Sequence, residues 1–232
     1  MQGALNRERP DTAVRPRILV AARDAFAARG FEATSLAQIA RTVGVSQPLV
    51  SYYFGTKTEL WQAVVDIELR ALEAVVEEAI DDGLDLDARA AVELLIRRLA
   101  VVAARRPAVR ALLMHECFEP ELRGRWLAVR HVEPLMARIE SVLSRAIDDG
   151  AVPPMSLATA AMLLVGATTH GLDWLGLVRR DGRALGEEEI PAYAETCVRF
   201  CLRGLGADGY VTATNTRRAG VEIDHGGHDA NR

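Results

Sequence analysis

Lysine is almost missing from this chain of 232 residues: Lys57 is the single one, and arginine supplies every other cation. Cysteine is scarce as well. Cys117, Cys197 and Cys201 form no Cys-x-x-Cys pair and leave an odd number, which excludes a disulfide framework and a zinc ribbon. Cys197 and Cys201, one helical turn apart, read as small core residues. The longest apolar run, Leu157 to Thr168, is too short to cross a bilayer, and the opening MQGALNRERPDTAVRPR lacks the apolar core of a signal peptide. A cytoplasmic location is therefore expected. There is no nucleophile elbow, glycine-rich phosphate loop or HExxH, so neither an enzyme nor a cofactor is expected. His115 and Glu116, followed by His131, offer no pair of ligands on one helical face. His225 and His228 have that spacing in a stretch too polar to hold them still, so no metal site is expected.

Half of the residues are apolar, enough to bury a sizeable core. They recur at three- and four-residue intervals, and β-branched runs bounded by turns are missing, so the pattern predicts an all-α chain. Ile18, Leu19, Ala22, Ala25 and Phe26 stripe a first helix that ends at Gly30. Ser35 with Gln38 forms a capping box for a short second helix, with Leu36, Ile39, Ala40 and Val43 inward. Gly44 breaks it, Val45 plugs the corner, and Ser46 caps a third helix that tolerates Pro48 in its first turn. Gly55 ends the third helix. Thr56 with Glu59 caps a long fourth helix reaching about Asp82.

Further helices are predicted from Leu86 to about Arg105, from Pro107 to about Phe118, and from about Arg125 to Asp149 with a kink or restart at Pro134. The last two, Ser156 to Val178 and Glu187 to Leu205, are separated by the loop RRDGRALG. The expected division is a flexible arm over 1–14, a small helical unit over 15–57, a larger helical unit over 58–206, and a disordered tail over 207–232. The tail has little to bury.

The stretch TSLAQIARTVGVSQPLVSYYFGTKTEL from Thr34 has the helix, glycine turn and second helix that place a recognition helix in the major groove of DNA. Gln47 can pair with adenine or guanine, and Pro48 and Leu49 can touch a thymine methyl. Up to Trp61 there are eight cations against five anions. The remainder must then be seven negative to reach the net −4, which directs the phosphate-seeking surface to the N-terminal part. Lys57, at a helix N-terminus, matches a phosphate. Thr34 and Ser35 serve as caps, phosphate contacts or both. Arg15, Arg17 and Arg41 are further candidate backbone partners, although a solvated arginine is the default for each. Tyr52 and Tyr53 either pack in the core or turn their hydroxyls to the DNA backbone, with Val50 and Phe54 inward.

Residues 15–65, including GVSQPLVSYYFGTKTELWQAV, resemble the DNA-binding domain of the TetR family of bacterial transcription regulators. Ser46 belongs to the same first turn of the third helix, and the resemblance implies that Gln47, Pro48, Leu49 and Ser51 face bases, although Ser51 stands where tyrosine is commoner. It implies that Tyr52, Tyr53 and Lys57 hold phosphates. It further implies a homodimer paired through 156–178 and 187–205, a small-molecule effector in the middle helices, and repression relieved by that ligand. The small-residue stripe of Leu157, Ala160, Ala161, Leu164, Val165 and Thr168, and the stripe of Val198, Cys201, Leu202 and Leu205, are compatible with such pairing. Candidate pocket residues are Met114, His115, Cys117, Phe118, Trp126, His131, Met162, His170 and Trp174, which bring soft, aromatic and hydrogen-bonding groups into aliphatic helices. Each histidine alone also fits a structural role, and each Trp or Met an ordinary core role. In this reading the fourth helix acts as a lever between ligand and DNA.

Overall fold

The computed structural model describes residues 13–117, 122–178 and 185–207, the side chains of 117 and 173–178 excepted. Among them there is no strand. The helices are α1 (Val14–Arg29), α2 (Leu36–Val43), α3 (Gln47–Phe54), α4 (Lys57–Asp82), α5 (Ala88–Arg105), α6 (Pro107–Cys117), α7 (Leu122–Leu127), α8 (Glu133–Asp148), α9 (Leu157–Val178) and α10 (Ile190–Gly204). No helix is long and apolar enough to cross a membrane among these residues.

Local chemistry sets the first four boundaries. Gly30 ends α1 with φ 73°, and Gly44 ends α2 in the left-handed region at φ 76° and ψ 34°, where a side chain is disfavoured. Ser35 Oγ accepts from the Gln38 amide at 3.2 Å while Gln38 Oε1 accepts from the Ser35 amide at 3.1 Å. Thr56 and Glu59 repeat the box at α4, with contacts of 3.2 and 2.7 Å, and hydrogen bonds from the Thr56 amide and hydroxyl hold the Glu59 carboxyl below its ordinary range. At α3, Ser46 Oγ accepts from the Leu49 amide. Asp87 caps α5.

The stretch expected as a helix over 125–149 with a kink or restart at Pro134 is three pieces, and the restart falls at Glu133, one residue before the proline. Helix α7 runs into a wider turn at Ala128–Val132, where the Glu133 amide reaches back five residues to the Ala128 carbonyl, and α8 restarts with Pro134 in its first turn. Proline supplies no amide, and its ring would collide with the carbonyl four residues earlier; one surplus residue opens the ladder there.

Two cores share α4. At 26 residues and about 1.5 Å per residue it is about 39 Å long. Its first half, with Leu60, Trp61, Val64, Val65 and Leu69, joins Ile18, Phe26, Ile39, Val50 and Phe54. Its second half, with Val76 and Ala79, joins α5, α8, α9 and α10 around Leu95, Ile96, Ile139, Leu143, Leu164 and Val198. Val109 and Leu112 of α6 and Leu127 of α7 belong to the first cluster, so the packing boundary does not fall at one point in the sequence. Each fully buried side chain of this size contributes about 1.5–3 kcal/mol. Cys197 and Cys201 lie in the second core, where burial pushes both thiols up, Cys201 to about 11.

Candidate nucleic-acid interface and ligand cavity

The α2–Gly44–α3 corner presents α3 by burying one side of it. Val50 and Phe54 lie inward, while Ser46, Gln47 and Pro48 are exposed and Leu49 and Ser51 half-buried. Tyr52 is 73% exposed, and its ring meets that of Tyr53 edge-on at 5.5 Å. Tyr53 is half-buried against the first core. Ser35 is exposed at the α2 N-terminus. Arg41 is exposed. Arg17 donates to the Val43 carbonyl at 2.6 Å, and Arg15 lies over the Phe54 ring.

Thr34 requires a correction. It is 2% exposed, with its hydroxyl directed at the Gly30 and Ala25 carbonyls, 2.8 and 3.2 Å away, and so braces the turn before α2 instead of reaching a phosphate.

Lys57 has a structural partner that the sequence did not disclose. Its Nζ lies 4.1 Å from the Phe31 ring centre and 3.4 Å from the Glu32 carbonyl. Arg123 of α7 covers the same ring at 3.9 Å and pairs with Glu32 at 3.2 Å and with buried Glu116 at 3.3 Å. Two cations on one ring join α4 and α7 to the turn after α1.

Behind this junction lies a cavity of about 210 Å³, walled by α4, α5, α6, the 128–132 turn, α8 and α9. Met114, His131 and His170 line it as expected candidates. His131 is 3% exposed, with its ring nitrogens 2.8 Å from Asp66 Oδ1 and 2.9 Å from Glu73 Oε1, so two α4 carboxylates seven residues apart clamp it. Burial pushes the Asp66 carboxyl up, but hydrogen bonds from Arg130 and His131 and the charges of Arg130 and Arg70 outweigh this and hold it below its ordinary range.

Three candidates lie elsewhere. His115 is exposed, and its Nε2 approaches the Ala27 carbonyl at 3.1 Å; a β-carbon on Gly30 would stand 3.2 Å from its Nδ1, so glycine lets α6 dock on α1. Trp126 packs between Trp61 and His131, at 5.5 and 5.6 Å, in the first core. Met162 is 66% exposed on a groove between α9 and α10. Phe118, the side chains of Cys117 and Trp174, most of the RRDGRALG loop, the N-terminal arm to residue 12, and the tail from 208 with His225 and His228 lie outside the described residues. Among the described residues no cluster of three or more His, Cys, Asp or Glu could hold a metal ion. Sequence reasoning missed Phe31, Arg123, Asp66 and Glu73; only the seven-residue spacing of the two acids on one face of α4 was there to be noticed.

A presented helix-turn-helix at one end and a cavity between helices at the other define the architecture of this all-α protein. Residues 18–64 match the family model described as bacterial regulatory proteins, tetR family. The HTH-type transcriptional regulator RutR of Escherichia coli (strain K12) is 41% identical over 85 residues, covering 33% of this chain and 40% of that relative. The HTH-type transcriptional activator FasR of Mycolicibacterium smegmatis is 36% identical over 71 residues, covering 31% and 32%. The chain thus spans less than half the length of these curated relatives. The crystal structure of the TetR family transcriptional regulator PfmR from Thermus thermophilus superposes with a TM-score of 0.61 at 25% identity, covering 79% of this chain and 97% of that one. The helix-turn-helix part of the chain thus matches the TetR family of bacterial regulatory proteins, and its helical body shares the fold of a solved member of that family.

Proposed function

We propose that the chain is a DNA-binding transcriptional regulator, a homodimeric repressor that leaves a palindromic operator when a small apolar or amphipathic ligand fills the cavity. One observation carries this reading: α3 buries Val50 and Phe54 and turns its polar first turn outward beside the exposed Tyr52. In it Ser46, Gln47, Pro48, Leu49 and Ser51 meet bases in the major groove, and Ser35, Tyr52, Tyr53 and Lys57 meet phosphates. In this reading the DNA contacts belong to a unit over 15–57 and the ligand to a unit over 58–206. The dimer uses α9 and α10, where Met162, Leu163 and Phe200 are 66%, 69% and 69% exposed, an apolar surface that a second copy covers. Met114, His131 and His170 contact the ligand. Movement of α4 changes the spacing of the two recognition helices; a coupling of about 1–3 kcal/mol changes operator affinity roughly 5–150-fold. No catalytic step is assigned to the cavity, and turnover of a molecule bound there would overturn that part.

The test is a gel-shift and salt titration of the full chain against DNA that the protein itself enriches from a random-sequence pool. Gln47→Ala weakens binding at particular base pairs, and Lys57→Ala weakens it across sequences and lowers the salt dependence. Enrichment of no sequence above non-specific level overturns the reading. A reporter transcription assay gives the sign of regulation, and activation by the unliganded protein would contradict repression.

A further inference from the structure

Arg106, at the end of α5, lines the cavity, as does Glu73, which His131 already holds; Arg110 of α6 lines it too and donates to the Ala103 carbonyl. The rest of the wall is mainly apolar, with Leu99, Val102, Leu113 and Val165 among its members. About 210 Å³ is well above the roughly 10–15 Å³ that admits a single water molecule, room for a small organic molecule. Arg106 also has a connection out of the cavity. Its Nη1 meets Glu68 Oε2 at 3.3 Å, and the other oxygen of Glu68 lies 3.8 Å from Nη1 of Arg23 on α1. The Glu68 side chain is only 12% exposed, so one carboxylate, largely withdrawn from water, is shared by an arginine of the cavity wall and an arginine of the DNA-binding end.

We infer that the cavity takes a small carboxylic acid with an apolar body, and that its carboxylate draws Arg106 away from Glu68, altering the Glu68–Arg23 pair that ties α4 to α1. The inference rests on the ligand-responsive regulator reading above and adds the ligand's chemical class and the route of its effect. A guanidinium has five N–H donors in a planar fork, and Glu68 engages Nη1 alone, so a second carboxylate can approach from the cavity side. As that pair forms, Glu68 is left to Arg23, and α1 is held on α4 by a changed ion pair. An apolar alcohol of equal length satisfies the walls but exerts no pull on Arg106, and an amine is repelled by it.

The probes are octanoate, 1-octanol and octylamine, each titrated calorimetrically into the full-length dimer. Release of fluorescent DNA enriched by the protein itself is followed in parallel. Octanoate is expected to bind at least about tenfold more tightly than octanol, with octylamine weakest, because a hydrogen bond to a charged partner is at stake. Arg106→Met, which keeps the stem, brings octanoate and octanol within about twofold of each other, and Arg106→Lys retains the preference. Glu68→Gln still binds octanoate, but octanoate no longer changes its DNA affinity by more than about twofold. Unfolding midpoints of all variants establish that each is folded; Arg106→Gln replaces Arg106→Met if the latter is not. Equal binding of octanoate and octanol, no octanoate binding, or a preference that survives in Arg106→Met overturns the ligand class. Full release in Glu68→Gln overturns the route. If the unliganded wild type enriches no DNA sequence, the regulator reading has failed instead; intact DNA binding with no acid preference sinks only this inference.

Discussion

At the DNA-binding end, Ser35, Ser46 and Thr56 each secure a helix start within three residues, and Gly44 turns the chain in one step. At the cavity end Asp87 starts α5 in the same way, but the charged wall residues are held from a distance: His131 is fixed by Asp66 and Glu73 on a helix that ended long before it in the chain, and Arg106 by Glu68. Local rules therefore build a surface of set geometry at one end. At the other, contacts between distant segments build a space whose shape depends on several helices at once, the kind of arrangement that a bound molecule can alter.

That contrast can be broken most forcefully where the two ends meet. Trp61 is 1% exposed and touches both Phe31 and Trp126, so Trp61→Ala is expected to cost about 3–5 kcal/mol and to loosen both ends together; denaturant unfolding reads this as a large fall in midpoint. A change at one end alone would disprove the shared role of α4. Next in size is Asp66→Asn, which removes a charged partner of His131 and Arg130 and is expected to cost about 1.5–3 kcal/mol at neutral pH. The folded Asp66 carboxyl sits below its unfolded value, so its contribution is present above the unfolded pKa and is lost as pH falls through the folded one. Unfolding curves of wild type and Asp66→Asn should therefore converge on acidification through and below about pH 4.

Gly44→Ala sharpens the comparison on the local side. An added β-carbon meets nothing within 4 Å, so the expected loss of about 1–2 kcal/mol comes from the left-handed backbone alone. The cavity should keep its ligand affinity, as isothermal calorimetry would show. Smallest in stability is Tyr52→Phe, which at 73% exposure should change unfolding by less than about 0.5 kcal/mol while weakening DNA binding in a gel shift.

The same contrast explains how much could be read from the chain. Ser35 with Gln38, Thr56 with Glu59, and the ends of α1 to α4 were legible because cap and partner are three residues apart. The helix-turn-helix was legible for that reason too. Thr34 was misassigned because a threonine at a helix entrance reads the same whether its hydroxyl turns outward or, as here, back to Gly30. His115, Trp126 and Met162 were gathered with true wall residues because side-chain chemistry does not reveal direction. His115 points to α1, Trp126 to Trp61, and Met162 outward. Arg106 and Glu68 escaped notice because a charge on an amphipathic helix is ordinarily solvated, and only tertiary packing made theirs a pair.

The wide turn at Ala128–Val132 amounts to one residue of slack stored in what would otherwise be a continuous rod. Residues in a regular helix advance by about 100° each, so removing one residue there, such as the exposed Val129, would rotate everything before it by that angle against α8. Arg123 would swing off Phe31 and Trp126 off Trp61, while Leu135 and Met136 stayed on the cavity wall. The phase between α7 and α8 is thus set by a count of one amino acid.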